Sequence, residues 1–256
     1  PLSRRDFTRL ATLSTLTAIG GGAAAIVGPS AASAANSAYV FGYFKETPNE
    51  SGDSYALHLA VSVDGLNWRP LNQNTPVATP TAGTLGLRDP FILRKQDGTF
   101  VVLATDLKGT DWNYVSQYVH VWNSTDLRTF TGYHRLKLHD MNTHSWAPEA
   151  FWDAGRGQYA LIYSAVNSSG HNVIMVNYTT DFVTASAPQV FFDPGYDVID
   201  GDMAVGVNGV NYLYFKKNGT LLGARSTSLN PGSFTPFSTA VSHGGTEAPT
   251  LVKSLT

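Results

Sequence analysis

The sequence predicts an all-β fold built as a β-propeller, and three observations carry that expectation. From Tyr39 onward no stretch keeps apolar residues at i, i+3, i+4 and i+7, the spacing an amphipathic helix needs. The same region is broken into short β-branched and aromatic runs separated by Asp-Gly and Asn-Gly pairs, which favour tight reversals between strands. Two local patterns also recur with a period of about 50 residues, the length of a four-stranded blade.

Composition fits that class. Of 256 residues only 14% are charged, while 24 are glycine and 12% are aromatic, a turn-rich and strand-rich profile. Seventeen basic residues against 19 acidic ones leave a net charge of −2, so there is no basic footprint for nucleic acid or an anionic membrane. With no cysteine, a disulfide framework, a thiol nucleophile and a thiolate-bound metal are excluded.

Residues 1–34 are set apart from the fold. Ser3-Arg4-Arg5-Asp6-Phe7 is a twin-arginine pattern, Leu10 to Val27 is apolar but diluted by Thr and Gly, and Ala32-Ser33-Ala34 fits an A-x-A cleavage site. Together they predict a Tat-type signal on a bacterial secreted protein, which keeps no membrane attachment after cleavage. Residues 35–256 are then one propeller domain. Its predicted strands include Tyr39–Phe44, Tyr55–Val63, Phe91–Arg94, Thr99–Thr105 and Tyr118–Trp122. Further along come Tyr159–Tyr163, Val173–Asn177, Asn211–Phe215 and Leu221–Ala224.

The first recurring pattern is an acidic residue opening an apolar strand: Asp89, Glu149, Asp200 and Glu247, at intervals of 60, 51 and 47 residues. If these strands line the axis, four carboxylates distant in sequence converge on one mouth. Any one of them alone would be an ordinary turn or strand cap. The second pattern comprises Ser62-Val63-Asp64-Gly65, Ser124-Thr125-Asp126-Leu127 and Thr179-Thr180-Asp181-Phe182, with a weaker copy at Ser226 to Leu229. In this phase the first unit lacks an innermost strand and the last holds only its innermost strand. The expectation is a longer natural protein whose later strands complete the first blade.

These residues resemble glycoside hydrolase family 43. The resemblance rests on Asp89-Pro90-Phe91-Ile92 with Asp97-Gly98-Thr99-Phe100, then Trp146-Ala147-Pro148-Glu149, Ile199-Asp200 and Glu247-Ala248-Pro249-Thr250-Leu251-Val252-Lys253. It implies a five-bladed propeller, the last blade incomplete here, and an inverting glycosidase of the α-L-arabinofuranosidase and β-xylosidase group. The bacterial, exo-1,5-acting arabinofuranosidases look nearest, with exo-galactosidases as other relatives. It carries the general base to Asp89, the acid's pKa-raising partner to Asp200 and the general acid to Glu247. Asp202, two residues on, competes with Asp200 for the partner role.

Around these acids the same reading places sugar contacts. Arg88 either keeps Asp89 ionised by charge pairing or is an ordinary surface residue. Glu149 either bonds sugar hydroxyls or starts a strand. Phe91 and Trp146 offer apolar platforms for sugar C–H groups, with blade packing as the alternative for Trp146; Trp112 would border the pocket. His243, four residues before Glu247, would line the mouth. The histidines show no metal-ligand spacing, so no cofactor is expected; an axial calcium, known in some relatives, stays open. The expected partner is plant cell-wall oligo- or polysaccharide, met by a monomer. No Gly-x-Ser-x-Gly elbow supports a serine hydrolase.

Overall fold

Glycine and asparagine turns close the chain into successive antiparallel meanders. Asn208-Gly209 and Asn218-Gly219 each hold positive φ at both positions, the conformation a two-residue hairpin requires. A computed structural model describes residues 38–46, 52–237 and 239–251. It contains four sheets. The first joins β1 (Tyr39–Tyr43), β2 (His58–Ser62) and β3 (Arg69–Pro70). The second is β4 (Leu87–Arg94), β5 (Phe100–Asp106), β6 (Tyr118–Ser124) and β7 (Thr131–Lys137). The third runs β8 (Trp146–Asp153), β9 (Gln158–Val166), β10 (Asn172–Thr179) and β11 (Gln189–Phe192). The fourth is β12 (Ile199–Val207), β13 (Val210–Lys217), β14 (Thr220–Ser226) and β15 (Thr235–Pro236). Apart from one 3-10 turn at Asn72–Asn74, the assigned elements are strands.

The recurring Ser/Thr-x-Asp pattern is the turn between a blade's third and fourth strands. The hydroxyls of Ser62, Ser124 and Thr179 accept backbone N–H groups of Gly65, Leu127 and Phe182, at 2.9, 2.8 and 2.9 Å. The carboxylates of Asp64, Asp126 and Asp181 take the following N–H groups. Those donors hold all three carboxyls below their usual range. Because the Ser62 turn joins β2 to β3, the first sheet's strands occupy the second, third and fourth places of a blade, as the sequence phase requires.

Apolar faces meet between sheets in three clusters. Leu57, Leu59, Leu87 and Trp122 join the first and second sheets. Leu103, Val121, Leu161 and Tyr163 join the second and third. Ile162, Phe191, Leu213 and Phe215 join the third and fourth. Sheets packed side by side through such faces make a propeller. Four sheets lie among the described residues, one fewer than the resemblance implies.

Three expectations need adjustment. The apolar strand expected after Glu247 lies only partly within the described residues, where 248–251 pair with no other strand. The outer strands β7 and β11 were not foreseen, since TGYHRLK is largely polar and QVFF is short. The predicted signal at 1–34 lies outside the described residues.

Candidate active site

Each inner strand opens with an interruption. Register breaks fall between Arg88 and Phe91 in β4, Trp146 and Glu149 in β8, and Ile199 and Asp202 in β12. Inside them lie Asp89-Pro90, Ala147-Pro148 and Asp200-Gly201, whose first residues have φ of 47°, 46° and 57°. Ala248, before Pro249, repeats this with φ 48°. Non-glycine residues avoid that region, and a conformation maintained against its own cost at four equivalent places points to a functional role.

This backbone register corrects the sequence phase. Asp89 and Asp200 occupy one equivalent position, filled elsewhere by Ala147 and Ala248. Glu247 stands one residue earlier, alongside Arg88, Trp146 and Ile199. Glu149 stands two later, alongside Phe91 and Asp202. The four acids therefore occupy three different levels.

Asp89, Asp200 and Glu247 nevertheless meet electrostatically. Burial and the charges of Asp89 and Glu247 push the Asp200 carboxyl up to about 6, against Lys216 and the Ala248 N–H, which lower it. Burial also raises Asp89, opposed by the Thr105 hydroxyl, Arg88 and the Ala147 N–H, with Glu247 adding to the rise. Thr105 Oγ1 donates to Asp89 Oδ2 at 2.8 Å and accepts the Ala147 N–H at 2.8 Å, tying the second sheet's carboxylate to the third sheet's bulge. Glu247 is more open, its side chain 68% exposed, and Lys216 Nζ donates to its Oε1 at 2.5 Å. The structure thus gathers Asp200, rather than Asp202, with Asp89 and Glu247.

An aromatic rim borders this trio. The Arg88 guanidinium lies 4.8 Å from the ring centres of both Phe44 and Trp112, and it pairs with Glu46 at 2.5 Å. Arg88 is therefore no loose surface residue; it lowers Asp89 by its field without making an ion pair with it. Trp112 stands edge-on to Trp146, 6.0 Å between centres, and half of it is exposed. Trp146 in turn stacks on His144, 3.5 Å away. That leaves indole surface beside the carboxylates, as a sugar platform needs.

Phe91 opens into the axial space. With Glu149, Asp202 and Leu251 it lines a cavity of about 410 Å³ between the inner strands, and it packs against the core. His243 is exposed, and its ring bonds to the carbonyl of Gly244 in its own loop. Among the described residues no group of three or more His, Asp or Glu side chains is disposed to hold a metal ion.

One buried network escaped the sequence. Asp106, at the end of β5, is 1% exposed and accepts from Arg135, Ser116 and Thr84, with His120 Nε2 at 3.3 Å. These partners hold its carboxyl well below the usual range. It fixes the loop that leads to Arg88 and Asp89. Gly83 in that loop has φ 69°, and a Cβ there would lie 2.4 Å from Asp106 Oδ1.

Comparison with known proteins decides the family. A model described as "Probable glycosyl hydrolase domain", family-43-related, matches residues 35–256. The chain belongs to glycoside hydrolase family 43. A curated relative, an α-L-arabinofuranosidase of Bifidobacterium longum subsp. longum, is 30% identical over 202 residues, covering 68% of this chain and 19% of its own length. The chain thus spans about a fifth of the curated relative it matches. Among solved structures, an endo-arabinase from Bacteroides thetaiotaomicron has a TM-score of 0.61 at 13% identity, covering 81% of this chain and 77% of the other. A xylan β-1,4-xylosidase from Bacillus halodurans has a TM-score of 0.58 at 15% identity, covering 79% and 40%. A family-43 β-1,3-galactosidase has 0.60 at 14%, covering 78% and 43%. At such identities these structures show the shared propeller fold.

Proposed function

We propose that this chain supplies the catalytic propeller of a secreted, inverting exo-glycosidase, and that it releases α-L-arabinofuranosyl units from arabinan or arabinose-substituted plant polysaccharide. The observation that carries the reading is the placement of Asp89 and Asp200 in equivalent bulges at the opening of the inner strands, with Glu247 one residue before the bulge at Ala248 that bonds to Asp200. The curated relative's name supports the arabinose assignment. In this reading a fifth blade closes the ring, and the twin-arginine segment directs export of the folded protein.

Inversion requires one ionised carboxylate and one proton donor on opposite sides of the glycosidic bond, about 6.5–9.5 Å apart so that water fits between. Asp89, oriented by Thr105, takes a proton from that water as its oxygen attacks the anomeric carbon. Glu247 gives a proton to the departing glycosidic oxygen as the bond breaks. Asp200 lies close to both in charge and carries part of the negative field that favours the sugar's developing positive character. Trp112, Trp146 and Arg88 hold the sugar beside the carboxylates.

The test is hydrolysis of paired chromogenic α-L-arabinofuranoside and β-D-xyloside substrates by the full-length protein beside Asp89→Asn, with the product anomer followed by proton NMR. Arabinoside cleavage that gives the inverted anomer first, and that the substitution abolishes, is expected. Preference for the xyloside would move the assignment to a β-xylosidase. Binding of arabino-oligosaccharide without turnover would make this a glycan-binding propeller.

A further inference from the structure

Residues 248–251 carry Glu247 at their leading end yet belong to no sheet among the described residues. Their backbone hydrogen bonds run to side chains of β12 instead. The Ala248 N–H donates to Asp200 Oδ2 at 3.3 Å, and the Leu251 N–H donates to Asp202 Oδ2 in a short contact. Pro249 has no N–H to offer. Asp202 is 5% exposed, and its carboxyl meets that of Glu149 from the neighbouring blade across the axial cavity.

We propose that Asp202 is a positioning residue: paired with Glu149, its carboxylate anchors residues 248–251 and thereby fixes where Glu247 stands relative to Asp200. A buried carboxylate needs its oxygens satisfied. Here the Leu251 N–H satisfies Asp202 Oδ2, and the Glu149 carboxyl lines the same cavity. Burial, with Asp202 and Asp200 close by, raises Glu149 well above the usual range; burial raises Asp202 as well, opposed in part by its contacts with Glu149 and the Leu251 N–H. Phe91, at the equivalent place in the second sheet, fills it with an apolar ring, so a carboxylate there is not required by the blade itself. What distinguishes Asp202 among these positions is the Leu251 N–H that it accepts.

The inference rests on Glu247 as the proton donor, and a leaving-group comparison tests it. A dinitrophenyl arabinoside departs without protonation, whereas an arabino-oligosaccharide needs it. In the full-length protein, Asp202→Ala is expected to lower kcat on the oligosaccharide about 100-fold while leaving the dinitrophenyl substrate within several-fold and KM little changed. Asp202→Asn, which keeps an oxygen for the Leu251 N–H, is expected to recover most of that loss. Equal loss on both substrates, or an Asn variant as poor as Ala, would overturn the proposal. Amide hydrogen exchange at Leu251 gives an independent reading, expected to quicken in Asp202→Ala with Leu161 and Val176 still protected. Unchanged exchange at Leu251 would also overturn it. If the unaltered protein cleaves neither substrate, the glycosidase reading fails, and the exchange result alone decides whether Asp202 anchors the segment.

Discussion

Replacing Asp200 with Asn removes a charge that the fold holds at a cost. The group's ordinary value of 3.8 rises to about 6 in the folded protein, mainly through burial and the nearby Asp89 charge. Folding therefore favours the protonated form. Its contribution to stability is fully present below about pH 4 and is lost as pH rises through 6. A shift of about two units at 1.36 kcal/mol each is worth about 3 kcal/mol, which salt screening of a half-buried site reduces toward ~2 kcal/mol. Asn does not titrate and keeps an oxygen for the Ala248 N–H. The variant should match the parent at pH 4, gain through pH 5 and 6, and be ~2–3 kcal/mol more stable at pH 7.5. For a domain of this size that gain is about 4–12 °C in Tm. Paired urea unfolding curves at pH 4.0, 5.0, 6.0 and 7.5 measure it. A gain equal at pH 4.0 and 7.5, or a loss at pH 7.5, would refute the electrostatic account. The same substitution should cost activity, the usual exchange at a strained site.

Three further expectations bear on other parts of the site. Glu247→Gln should lower kcat on arabino-oligosaccharide by roughly 10²–10⁴ and spare a dinitrophenyl arabinoside; equal rates on the oligosaccharide would remove Glu247 from the acid role. Trp112→Ala should leave the unfolding midpoint within ~0.5 kcal/mol, as a half-exposed side chain allows. Titration calorimetry should show its oligosaccharide affinity weakened by roughly tenfold, in line with loss of an aromatic contact, and unchanged affinity would take Trp112 off the platform. Asp106→Asn leaves Arg135 without its buried counter-charge and should cost about 3 kcal/mol at pH 7. Because the native carboxyl is held low, that deficit should shrink as pH falls below the ordinary 3.8; an unchanged urea midpoint at pH 7 would show that the network contributes nothing.

The blade order was legible because its signals are local. Ser62-x-Asp64 and its copies are turn chemistry, readable from three or four consecutive residues. The same locality explains the error in aligning the acids. Chemical type puts Glu149 and Glu247 in phase with the aspartates, whereas the backbone sets the phase through a residue followed by Pro or Gly: Asp89-Pro90, Ala147-Pro148, Asp200-Gly201 and Ala248-Pro249. That pattern was present in the sequence and would have separated the levels. The stacking of Arg88 between Phe44 and Trp112 left no such trace, since it joins residues from three distant segments. Asp106, His120 and Arg135 likewise come from three strands, and only their register brings them together. The bulge at Asp89-Pro90 turns Phe91 toward the cavity it shares with Glu149 and Asp202, which adjacency in sequence alone does not show.

The bulge recurs with different occupants: Asp89, Ala147, Asp200 and Ala248. Its geometry is a property of the main chain and does not depend on whether a carboxyl or a methyl group hangs from it. Architecture and reactivity are thereby inherited separately. A single nucleotide change converts an alanine codon into an aspartate codon, so a lineage can empty one seat and fill another without rebuilding a blade. Each such exchange moves a negative charge by one blade around the axis.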